Sequence, residues 1–252
     1  MSYILVIDSG NSFIKWGLYA DNRWIKKGKV FYREVATLKE EFLNLPEPAM
    51  IVISHVARAI TRDQLDILIS IWSTETYWIV AQAFQCNVSN SYSNPAQLGS
   101  DRWAALIAAW EIRHRACLVI NAGTAMTIDA LSDSGEFLGG IIIPGARLMR
   151  SSLLSGTQLI ESESGTYRDF PRNTNDAIQS GVIQCLVGAI EQMHTLLSLQ
   201  LDHPIESCII SGGGSSELIP FIKIPVKVID NLVLEGLAII ARDLRLNNKS
   251  FF

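Results

Sequence analysis

Hydrophobic positions along this chain form two series that repeat one another. Strand-like runs open the chain at about 2–8, 12–20 and 23–31, with the polar turn "ADNR" (Ala20 to Arg23) between the second and third. Helical and extended patterns then alternate. Residues 34–45 read as helix, "MIVISHV" (Met50 to Val56) as a buried strand, 60–73 as helix and "TYWIVA" as a strand. After the polar stretch "SNSYSNPAQ", a helix is predicted from about Gly99 to Arg115. The series then restarts. "CLVINA" and "AMTIDAL" read as strands, "SDSGE" as a turn and "FLGGIIIPG" as a third strand. Helices at 145–155 and 174–200, the strand "SCIISG" and a final helix at 233–245 complete it. Each half therefore reads β-β-β-α-β-α-β, with a tight glycine turn between its first two strands. That order predicts an α/β protein of two similar lobes, each a mixed sheet flanked by helices. The boundary falls near 115–117, giving lobes 1–115 and 116–252, and no Pro/Gly/Ser-rich linker marks it.

Composition narrows the class. With 48% hydrophobic and 18% charged residues over 252 positions, the chain has ample material for a core and does not read as disordered. A formal charge of −4, with no dense Lys/Arg run, argues against a nucleic-acid partner. Cys86, Cys117, Cys185 and Cys208 are widely spaced, and Cys117 and Cys208 lie in apolar runs, so buried free thiols and a reducing cytoplasm are expected. No signal-peptide pattern opens the chain, and no uncharged apolar run has the ~20 residues of a membrane span, so no membrane association is expected.

Candidate chemistry lies in the repeated glycine turns. In "DSGNSFIKWG", small residues between two strands let backbone N–H groups converge on an anion. Asp8 at the end of a buried strand can hold Mg²⁺, and Ser12 and Lys15 can reach phosphate oxygens. A plain β-hairpin whose Asp and Asn satisfy turn geometry explains the same residues equally well. The second copy, "NAGTAMTID", and a third glycine segment, "IISGGGSSEL", shift the balance toward phosphate and nucleotide binding. In "YSNPAQLGSDRWAAL", Asp101 and Arg102 open a helix, with Tyr92 upstream. Capping and the helix dipole account for a lone Asp there, but the neighbouring Arg102 suggests a site for an acceptor hydroxyl and its general base. His55, His114, His194 and His203 are scattered with no metal-like spacing, so none is assigned a catalytic or zinc role. The helix at 174–200 is apolar at helical spacing, which fits a dimer contact or a core helix.

The ordered set "DSGNSFIK", Y-x-N-P-x-x-L-G-x-D-R at Tyr92 to Arg102, "AGTAMTID", "GGIIIPG", "NTNDAIQSG", "SGGG" and "LVLEGL" resembles the type III pantothenate kinases, over nearly the whole chain. The resemblance implies a ribonuclease-H-like, actin-like ATPase fold with the nucleotide in a cleft between the lobes. It implies ATP-dependent phosphorylation of the primary hydroxyl of pantothenate, the first step toward coenzyme A. Carried over by residue, Asp8, Ser9, Gly10, Asn11, Ser12 and Lys15 form the first phosphate loop, with Asp8 beside Mg²⁺. Thr124 contacts ATP phosphate and Gly213 belongs to the adenosine motif. Asp101 is the general base, and Tyr92, Gly99, Ser100, Asp101 and Arg102 line the pantothenate pocket. The family forms homodimers, and Thr174 is the contact borrowed from the partner. Two alternatives remain open, a kinase for another hydroxyl acceptor and a kinase-like accessory protein influencing transcription.

Asn121 departs from the family pattern, which has Asp there to help bind a monovalent cation (K⁺ or NH₄⁺). An Asn keeps a carbonyl oxygen for the cation and loses the charge. Weak or absent potassium dependence is therefore expected.

Overall fold

Strand β1 (Ile4–Ser9) is buried at every residue, as its unbroken apolar run requires of a central strand. The structure is a computed structural model and describes residues 2–156 and 165–249. β2 (Phe13–Ala20) returns antiparallel to β1, and β3 (Arg23–Phe31) forms an edge with largely exposed positions. The predicted helix at 34–45 is split into a 3-10 turn at Tyr32–Thr37 and the short helix α1 (Leu38–Leu43), with non-helical Glu34 inside the turn. β4 (Met50–His55), α2 (Ala59–Ile69) and β5 (Thr76–Trp78) follow. The sheet order is β3-β2-β1-β4-β5, with β4 parallel to β1. Leu5, Ile7, Ile14, Trp16, Ile53 and Leu65 are buried together in its core.

The segment between β5 and α3 (Ser100–Arg113) contains structure that its sequence did not announce. β6 (Phe84–Gln85) and β7 (Val88–Asn90) make a small antiparallel hairpin, too short to show a period. Trp103 on α3 is fully buried and donates its indole N–H to Gln85 Oε1 at 3.0 Å.

The second series forms β8 (Cys117–Ala122), β9 (Ala125–Leu131), β10 (Glu136–Pro144), α4 (Ala146–Gly156), α5 (Thr174–Leu201), β11 (Cys208–Ser211), α6 (Ser215–Leu218) and β12 (Val226–Val228). These strands lie in the order β12-β11-β8-β9-β10. Both series thus place their strands third, second, first, fourth, fifth. The repeated hydrophobic pattern is a repeated topology, with α6 and β12 supplying the last two members of the second copy. Cys117 and Cys208 are buried free thiols here. By length and composition α5 could cross a membrane. Its Val182, Ile183, Leu186, Val187, Ile190 and Leu197 are buried in a core with Leu118, Ile120, Ile128 and Ile210.

Contacts divide the chain into two compact units. The first holds the residues up to His114, the short piece Gly135–Phe137 and the chain from Asn231 onward; the second holds Arg115–Ser134 and Leu138–Asp230. Phe137 at the start of β10 pairs with Asn90 of β7 within the first unit. The final helix α7 (Leu232–Lys249), which follows the second lobe in sequence, therefore packs in the first unit. It lies so close to α3 that a Cβ on Gly236 would sit 1.8 Å from Ala104 O, a contact only glycine permits. Glu235 on the same helix accepts from Trp24 Nε1 at 2.8 Å, joining α7 to the β2–β3 hairpin.

Candidate active site

In the first unit, three chain ends converge because β1 and β4 are parallel neighbours and both run toward the same edge of the sheet. β1 delivers Asp8 and Ser9, after which the turn through Gly10, Asn11 and Ser12 is closed by Gly10 N donating to Phe13 O at 3.1 Å. Lys15 stands opposite Asp8 in the β1–β2 register. β4 delivers Ser54 opposite Asp8 and His55 opposite Ser9.

The third end is the start of α3. Gly99 is its N-cap and supplies no side-chain cap. Ser100 Oγ lies 2.9 Å from Ser54 Oγ and accepts from His55 N at 3.2 Å, which ties the helix start to β4. Asp101 Oδ1 accepts from Arg102 N at 2.8 Å.

Electrostatics link the two acids. Burial pushes the Asp8 carboxyl up to about 7; Lys15 draws it down, and the Asp101 carboxylate pushes it further up. Burial also raises Asp101, against the pull of the Arg102 N–H and guanidinium. A buried carboxylate, Asp8, that senses both a lysine and a second, half-buried carboxylate forms a strongly charge-selective spot.

Arg102 is itself buried. Its Nη1 donates to Tyr92 Oη at 3.2 Å, and its guanidinium lies 5.9 Å from the Tyr92 ring and 5.7 Å from the Phe137 ring. The structure thus brings Asp8, Ser9, Lys15, Tyr92 and Gly99 through Arg102 together in one unit. Sequence reasoning passed over Ser54 and Phe137 and gave His55 no role. The apolar run of "MIVISHV" gave Ser54 and His55 only as a strand end, and nothing local relates Phe137 to Tyr92.

The second unit gathers the other glycine segments. In the loop between β8 and β9, Gly123 N donates to Asn121 O at 3.2 Å and to Ala125 O at 3.1 Å, and Gly123, Thr124 and Ala125 are exposed. Gly145, which ends "GGIIIPG", donates its N–H to Thr124 O at 2.9 Å. The "SGGG" segment lies against the same loop because β11 is parallel to β8, with Ser211 opposite Asn121. Gly214 N donates to Ala122 O at 2.9 Å. Gly212 has φ +99, and a Cβ there would meet Ala122 O at 2.4 Å and Asn121 Oδ1 at 2.8 Å. Gly213 remains exposed with nothing within 4 Å of a Cβ position, open to a ligand's approach.

Thr174 lies elsewhere in this unit. It opens α5 beside the N-cap Asn173, whose Oδ1 accepts from Asp176 N at 2.9 Å. There it lines an open, largely apolar groove of about 490 Å³ with Met149, Leu153, Ile178 and Cys185.

Comparison with known proteins identifies relatives over nearly the whole chain. The chain is 49% identical over 240 residues to the type III pantothenate kinase of Nitrosospira multiformis, covering 95% of this chain and 91% of that one. It is 47% identical over 245 residues to the type III pantothenate kinase of Nitrosomonas eutropha, covering 96% and 95%. Among solved structures, MreB5 of Spiroplasma citri bound to ADP superposes with a TM-score of 0.54 at 11% identity, over 99% of both chains. At that identity the likeness shows the fold alone, and that fold is the ribonuclease-H-like fold of the actin-like ATPases and sugar kinases. The sequence profile of the type III pantothenate kinases spans residues 4–195, which takes in the Asp8 turn, the Tyr92 to Arg102 segment and the loop after β8, and the chain belongs to that family.

Proposed function

We propose that this chain transfers the γ-phosphoryl group of ATP to the primary hydroxyl of pantothenate, with Asp101 as the general base. The observation that carries this reading is buried Asp8, opposite Lys15 and sensing the half-buried Asp101, at the converging ends of β1, β2 and α3. Phosphoryl transfer through a loose transition state needs placement and charge neutralisation more than covalent help. The turn from Ser9 to Ser12 offers backbone N–H groups to phosphate oxygens, and Lys15 adds a positive charge. Asp101 accepts the hydroxyl proton late, so reach to that hydroxyl matters more than a high pKa. Arg102, held by Tyr92, suits the carboxylate that pantothenate carries. Thr124 and Gly213 are assigned to ATP on the strength of their exposure in the glycine-rich cluster.

The residues suit Mg²⁺. A buried carboxylate pushed toward neutrality by burial and a second acid gains most from a divalent cation, and Mg²⁺ characteristically uses one or two carboxylates plus substrate phosphates. Among the described residues there is no group of three or more His, Cys, Asp or Glu that would make an all-protein cage. Asp8 would hold the ion, which would neutralise phosphate charge. Asn121, with its carboxamide against Gly212, offers a neutral ligand for a monovalent cation, so K⁺ or NH₄⁺ dependence is assigned as weak.

The enzyme is further read as a cytoplasmic homodimer in which Thr174 serves the partner's pocket, with no nucleic-acid or membrane partner. The apolar groove beside Thr174 supports the dimer, and the net charge of −4 supports the absence of nucleic acid. Full-length relatives named as pantothenate kinases favour this acceptor over another and over a transcriptional accessory role. ADP release by purified protein, with pantothenate tested against a panel of other alcohols, decides the matter. Asp101→Asn is expected to keep the circular dichroism spectrum and lose roughly a hundredfold or more in kcat. Turnover near wild type would remove Asp101 from its role.

A further inference from the structure

The end of β4 stands between the two elements that carry the acids. On one side is the phosphate turn: Ser9 Oγ lies 3.1 Å from His55 Nδ1, Val56 N donates to Ser9 O at 3.1 Å, and Asn11 Nδ2 donates to Val56 O at 3.5 Å. On the other side is the start of α3, where Ser100 Oγ accepts from His55 N and meets Ser54 Oγ. Ser9, Ser54 and Ser100 are all buried, so their hydroxyls need partners within the protein. The imidazole stands edge-on to Trp78, with ring centroids 5.8 Å apart. Burial, with help from Arg62, lowers the His55 pKa below the usual histidine range, against the opposing pull of Asp66. The ring is therefore neutral near pH 7, with one donor and one acceptor nitrogen, and a serine hydroxyl can partner either.

We propose that His55 is a positioning residue, holding the phosphate turn through Ser9 in register with the helix that carries Asp101 through Ser100. The proposal rests on the assignment of Asp8 and Asp101 to phosphoryl transfer. It differs from that assignment in giving a role to a residue other than the two acids. The side chain of His55 fixes one partner and its backbone N–H the other, so a shift of this one residue would be felt at both.

The test compares His55→Leu, which keeps apolar bulk beside Trp78 and removes the ring nitrogens, with His55→Asn, which puts a polar atom near the place of Nδ1. His55→Leu is expected to lower kcat about three- to tenfold with an unchanged KM for pantothenate. It should also speed hydrogen exchange at Gly10 to Ser12 by a similar factor, and His55→Asn should recover most of both. Ser9→Ala removes the same contact from the other side, so the double variant should lose no more than Ser9→Ala alone. Equal loss in the Leu and Asn variants, additive losses in the double variant, or wild-type exchange in His55→Leu would each overturn the proposal. Exchange is read without substrate. A wild-type protein that formed no ADP from pantothenate would sink the proposed reaction, and the exchange result would still decide the role of His55.

Discussion

Asp8 shows how far one buried side chain can bias the protein. Its carboxyl titrates near 7 in the fold against 3.8 for an ordinary aspartate, so the folded chain holds the proton more tightly than the unfolded one. Its contribution to stability is full below about pH 4 and is lost as pH rises through 7. In metal-free protein at pH 8, Asp8→Asn is expected to be more stable than wild type by on the order of a few kcal/mol and so to melt at a higher temperature. The advantage should disappear toward pH 4, and thermal melts across that range, with EDTA present, measure it. Asn121 makes a second residue-scale prediction. Wild-type turnover should respond weakly or not at all when K⁺ replaces Na⁺, and Asn121→Asp should create or strengthen the response. Strong activation of the wild type would contradict this reading.

At the scale of elements, the close crossing of α7 over α3 depends on a single missing methyl. Gly236→Ala puts a carbon into Ala104 O, and backbone cannot yield as a flexible side chain would. A loss of about 1–3 kcal/mol or more is expected, read as a lower denaturation midpoint with unchanged slope. Nothing in "LVLEGL" foretells that partner, because a helix pattern reveals its apolar stripe and not the surface it meets. The long elements were legible for the opposite reason. β1, β4, β8 and β11 are unbroken apolar runs, and α3 and α5 hold their period over 14 and 28 residues. β6 and β7, with 2 and 3 residues, have no period to read. The site divides similarly. Asp8, Asp101 and Arg102 stood out as charges beside glycine or at a helix start, whereas Ser54, His55 and Phe137 gain meaning only from strand register and long-range packing.

The whole molecule adds a question of assembly. If Thr174 completes the partner's pocket, Asp101→Asn and a Thr174→Arg variant, each inactive alone, should regain activity when refolded together. The mixed dimer would then contain one site with both residues intact. Recovery that fails while sedimentation shows mixed dimers would confine Thr174 to its own subunit. Another consequence follows from α7, which packs against β1 and β4 although the entire second unit lies between them in sequence. During synthesis, β1 leaves the ribosome early, but the helix that covers it arrives only after every residue of the second unit has been made. The second unit can close as soon as β12 is out, while the sheet bearing Asp8 still waits for the helix that packs on β1 and β4. The unit that begins first is therefore completed last, and Asp8 and Asp101, the acids proposed for phosphoryl transfer, reach their final packing only once α7 has been made.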